Sequence, residues 1–76
     1  MKLTPLASNM TEITLSDKRI LFSYETPVAY QDLDTVGTYY KTVKKWSTTT
    51  TRHISKWLGG NAAKLVSQDY LDDLVK

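Results

Sequence analysis

Between residues 11 and 26 apolar and polar positions alternate with a period of two. Ile13 and Leu15 share one side of the first run; after Ser16-Asp17-Lys18, Ile20, Phe22 and Tyr24 alternate with Leu21, Ser23 and Glu25. That is the period of a strand, whose successive side chains point to opposite faces. Ser and Asp hydrogen-bond their own backbone in tight turns, so residues 11–15 and 19–26 are predicted to form a hairpin. Pro27 has no N–H to give to a ladder, which leaves residues 28–30 as an edge piece at most. Residues 31–37, with Asp32, Asp34 and Gly37, read as a mobile loop. A third strand is predicted over residues 38–46, with Tyr39 and Val43 on one side and Tyr40 and Trp46 on the other. Lysines fall on both sides of it, and alternation sends Lys41 and Lys44 to opposite faces.

The period then changes. Ile54, Trp57 and Leu58 fall at i, i+3 and i+4, behind a run of Ser and Thr that suits a helix cap and ahead of Gly59-Gly60, a natural stop. A helix is predicted over residues 48–58. A second is predicted with Ser67 as its cap, Asp69 in its first turn and Leu71, Leu74 and Val75 at helical spacing, or with a start as early as Ala62. The fold expected from this order is α+β: a three-stranded antiparallel sheet, hairpin plus third strand, followed by two short helices packed on one face. Trp57 and Leu58 are expected to meet the sheet around Phe22.

At 76 residues the chain is one domain, 1–76, with a thin core, a size often helped by a partner or by self-association. A hydrophobic fraction of 41% and a charged fraction of 24% argue for a folded chain. With no cysteine, disulfides and thiolate zinc sites are excluded; with His53 alone, so is a multi-histidine site. No cofactor is expected. No stretch has the length and apolarity of a signal peptide or a membrane span, so a cytosolic setting is expected and the match of Asn9-Met10-Thr11 to a glycosylation acceptor carries no weight.

The net charge of +2 is unevenly spread: −2 over residues 1–37, +5 over residues 38–57 and −1 over residues 58–76. The whole excess comes from Lys41, Lys44, Lys45, Arg52 and Lys56, a segment without a single carboxylate.

Leu6-Ala7-Ser8-Asn9-Met10-Thr11-Glu12, Phe22-Ser23-Tyr24-Glu25-Thr26-Pro27-Val28, Tyr39-Tyr40-Lys41-Thr42, Lys45-Trp46-Ser47 and Thr49-Thr50-Thr51-Arg52-His53-Ile54 cover most of the chain. In these blocks it resembles a family of small uncharacterised proteins found in tailed bacteriophages and their relatives. The resemblance implies a viral origin, which makes the expected cytosolic setting that of the host, and it brings no functional residue with it.

The residues point away from catalysis. There is no nucleophile elbow and no phosphate-cradling glycine loop, and His53, near Ser47 and Ser55 in sequence, has no third group to orient it. Asp69 and Asp73 lie one turn apart, too few oxygens for a hard cation and well suited to a solvated helix start. The expected function is that of a non-enzymatic binding protein. Lys41, Lys44, Lys45, Arg52 and Lys56 would neutralise phosphates, Tyr39 and Tyr40 would stack on bases, and Thr49 would donate to phosphate at the helix start. The other reading is a protein-binding module that occupies a host protein's surface, anchored by Tyr30, Tyr39, Tyr40 and a surface Trp.

Overall fold

The structure, a computed structural model, describes residues 2–7, 9–34 and 38–75. Among these residues six strands form one sheet in sequence order: β1 (Lys2–Ala7), β2 (Met10–Thr14), β3 (Lys18–Ser23), β4 (Thr26–Asp32), β5 (Thr38–Thr42) and β6 (Ala63–Val66). Helix α1 (Thr48–Leu58) carries the chain from β5 to β6, and α2 (Gln68–Leu74) closes it. β1 to β5 are antiparallel neighbours, while β6 runs parallel to β5 because the crossover through α1 returns the chain in the same direction.

The fold remains α+β, but the expected three-stranded antiparallel sheet is corrected to a six-stranded mixed one. Two strands went unforeseen at its edges, and the supposed edge piece 28–30 is part of a central strand. Val28 and Ala29 are fully buried and Tyr30 is nearly so. Pro27 is tolerated there because it lies next to the strand's start and beside a bulge, where the register slips between Leu21 and Phe22. Of the expected loop, residues 31 and 32 belong to β4, Leu33 and Asp34 follow it, and 35–37 lie outside the described residues.

The helices cover opposite faces, not one. Leu21 joins Met10, Val28 and Ala29 in a cluster capped by Ile54 and Trp57 of α1. Its neighbour Ile20 joins Tyr30 and Leu71 of α2, with Phe22, Tyr40 and Leu74 packed around them. Adjacent strand residues point to opposite sides, so α1 and α2 sandwich the sheet. Trp57 and Leu58 therefore belong to the face opposite Phe22, and Trp57 packs around Leu21.

Helix α2 starts at the expected Ser67 cap and not as early as Ala62, since residues 63–66 form β6, and the Ser/Thr cap expected for α1 is Ser47. The Ser47 hydroxyl accepts from Thr50 N–H at 3.3 Å, and Ser67 accepts from Tyr70 N–H at 3.2 Å. Gly59 closes α1 at φ 59°, donating its N–H to the Ser55 carbonyl at 3.1 Å, a left-handed cap that a side chain would strain.

On the α2 face Tyr30 stacks on Tyr40 at 4.5 Å between centroids, and its hydroxyl donates to that of Tyr70 at 3.4 Å. Burial first, and then the Tyr70 hydroxyl, hold the Tyr30 phenol well above the usual tyrosine range. A raised value means the folded state favours the neutral phenol. Its contribution is therefore complete below the unfolded value near pH 10 and is lost as pH rises beyond it. Denaturant unfolding above pH 10 should show stability falling, and Tyr30→Phe should fall less steeply. An identical decline in both proteins would assign the alkaline loss elsewhere.

Candidate nucleic-acid interface

β5 ends at Thr42, four residues before the predicted end of the third strand. The Thr42 hydroxyl accepts from Lys44 N–H at 3.1 Å and turns the chain out of the sheet, while Val43 N–H is still held by the Val66 carbonyl at 2.9 Å. Lys44 and Lys45 thus sit on a connection, free of the strand's alternation. Lys41 and Lys44, expected on opposite faces, line the same space.

That space is a cleft of about 470 Å³ between the end of β5, residues 43–47 and one side of α1. Lys41, Lys44 and Lys45 supply its cations. Thr48, Thr51 and Ser55, spaced i, i+3 and i+7 along α1, present hydroxyls from the other wall. Val43, Trp46, Ile54 and Leu65 form its apolar part, and no carboxylate lines it among the described residues. The first turn of α1 carries no acid, so the partial positive charge of its N-terminus is unopposed.

Trp46 stands at this cleft, partly exposed. Its Nε1 donates to Gln68 Oε1 at 3.2 Å, and the Lys44 ammonium lies 4.3 Å from its ring centroid. Gln68 is itself held: its Nε2 donates to the Pro27 carbonyl at 2.8 Å and to Asp72 Oδ1 at 3.1 Å.

The remaining residues singled out from the sequence lie elsewhere. Lys56 borders a separate groove with Leu6, Met10, Glu12, Arg19 and Trp57, where Glu12 meets Arg19 at 3.9 Å. Thr49 and Arg52 are exposed and fall with Lys56 on a different stripe of α1 from the cleft hydroxyls. Tyr39 packs edge-on against Trp57 at 5.6 Å on one face of the sheet, and Tyr40 stacks on Tyr30 on the other. Both rings are half-buried and already committed to neighbours. Lys41, Lys44 and Lys45 come together; Arg52, Lys56, Thr49 and the two tyrosines do not join them.

Residues 1–73 match a family of unknown function, DUF8033. The chain belongs to that family. No curated protein matches it, and no solved structure does. The family description names no activity, so the functional reading rests on the side chains themselves.

One further arrangement was invisible in the sequence. His53 Nδ1 lies 2.8 Å from Ser23 Oγ, thirty positions away, and Ser23 Oγ lies 3.0 Å from Thr50 Oγ1. The sequence offered Ser47 and Ser55 as histidine partners; the partner comes from β3 instead. Ser23 is 2% exposed, shut between sheet and helix. A nucleophile needs a path for its substrate, and this pair chiefly pins α1 to β3. Among the described residues no group of three or more His, Asp or Glu is placed to hold a metal ion, and no helix is long and apolar enough to cross a membrane.

Proposed function

We propose that this is a small non-enzymatic binding protein whose ligand is nucleic acid, held through its phosphates in the cleft between β5 and α1. The observation that carries the reading is the convergence of Lys41, Lys44 and Lys45 with three α1 hydroxyls in a recess that no carboxylate lines among the described residues. Ammonium groups neutralise phosphates, and hydroxyls donate to phosphate oxygens without reading sequence. Phage origin and action in the host cytoplasm belong to the same proposal, supported by the sequence blocks around Phe22 and Trp46. The direct test is a titration of the protein with labelled single- and double-stranded oligonucleotides at low salt, where attraction is least screened. Saturable binding is expected; its absence would remove the reading.

A second reading, a module that docks on a host protein, is favoured by a different part of the surface. On the α2 face, beyond the reach of α2, Leu3, Ile13, Phe22 and Tyr24 border a groove of about 300 Å³, with Leu3 66% exposed. Tyr24 holds a left-handed φ of 59°, and its N–H is bonded to the Asn9 carbonyl at 2.6 Å. A bulky residue pays about 1 kcal/mol for that conformation, and such strain collects at functional surfaces. Tyr24→Gly should accordingly raise stability by about 1 kcal/mol in denaturant melts. The Tyr24 ring also lies 6.1 Å from that of His53, tilted by 45°, and a loss of stability instead would show that this contact outweighs the strain.

A further inference from the structure

We infer that the cleft takes a single strand, with one unpaired base stacked on the indole of Trp46 and the flanking phosphates on Lys41 and Lys45. This rests on the nucleic-acid reading of the cleft and narrows its ligand to unpaired nucleic acid.

Stacking needs a ring that is not already packed inside the fold. Tyr39, Tyr40 and Trp57 are packed against partners inside the fold. Trp46 is 36% exposed and lies in the wall of the cleft itself. An exposed indole on a loose connection would move freely, but this one is tethered by a hydrogen bond. Gln68 accepts from its Nε1 and is held in turn by the Pro27 carbonyl of β4 and the Asp72 carboxylate of α2. Two elements outside the cleft thus set the ring's orientation before any ligand arrives, which cuts the ordering cost of binding.

The ring's present companion is informative. The Lys44 ammonium rests 4.3 Å from the centroid, a contact available to any cation on an aromatic face. Every base offers a flat π-face that can take the same place, and the displaced Lys44 then reaches a phosphate. Paired bases keep their faces inside the duplex, so only an unpaired base can lie on the indole. Duplex is left with the lysines alone.

The test uses the full chain with three probes: a short single-stranded DNA of mixed sequence, the matching duplex, and inorganic polyphosphate, which has charge but no bases. Single strand is expected to bind about tenfold or more tighter than duplex. Trp46→Ala should lose about tenfold or more of the single-strand affinity and change polyphosphate affinity far less, while Trp46→Phe keeps most of the single-strand affinity. In the unsubstituted protein, single strand should quench tryptophan emission more than duplex does, and Trp46→Phe should abolish the difference. Equal affinity for single strand and duplex, or a folded Trp46→Ala protein with full single-strand affinity, would overturn the stacking inference while the phosphate reading stands. Failure of all three probes to bind would overturn both.

Discussion

Replacing Trp57 by Ala is expected to lower the unfolding free energy by about 3 kcal/mol. The indole covers the cluster of Met10, Leu21, Val28 and Ala29 and meets Tyr39 edge-on. Its Nε1 donates to Glu12 Oε1 at 2.9 Å, and the Arg19 guanidinium lies 6.0 Å from its ring. Because the side chain is only partly buried, the lower end of the usual cost for losing a large aromatic applies. For a domain of 76 residues that is a large share of the total stability. The melting temperature should fall by about 12 °C or more. A Trp57→Ala protein melting within a couple of degrees of the parent would contradict the packing of α1 on the sheet.

The second large effect is on binding. Lys41→Ala, Lys44→Ala and Lys45→Ala combined should weaken oligonucleotide binding at low salt on the order of a hundredfold, since three phosphate contacts are lost together. Lys44 and Lys45 are exposed and Lys41 is half-buried at the cleft wall. Exposed charges add little to stability, so far-UV circular dichroism and melting should be nearly unchanged. The informative control is Arg52→Ala with Lys56→Ala. It removes two of the same five cations, but from outside the cleft, and should cost only a few-fold. If the control weakens binding as much as the triple variant, the ligand follows the charge of the whole segment and the cleft has no special part.

The contrast between those variants also marks where the sequence stops being legible. The hairpin of β2 and β3, helix α1 and the caps at Ser47, Gly59 and Ser67 were all readable because each depends on neighbours within a few residues. β1 carries Pro5 and little alternation, so it lacked a strand's signature until β2 paired with it. β6 is only four residues, Ala63–Val66, rich in good helix formers, and it exists because α1 returns the chain parallel to β5. Pro27 argued against a central strand, and the bulge that excuses it is a tertiary feature. At the candidate site, the charge excess of residues 38–57 pointed to the segment that supplies the lysines of the cleft. It could not show that β5 ends at Thr42, and that ending frees Lys44 and Lys45 from the pleat and separates them from Tyr39 and Tyr40. Nor could spacing reveal that Gln68, twenty-two residues on, holds Trp46.

Phosphate binding by three lysines in one cleft should show itself in the salt dependence of affinity. With Lys41, Lys44 and Lys45 each neutralising one phosphate, log affinity for an oligonucleotide should fall against log salt with a slope of about −2 to −3. The triple alanine variant should bring any residual slope close to zero. A slope near zero for the unsubstituted protein, or one that survives the triple substitution unchanged, would contradict the claim.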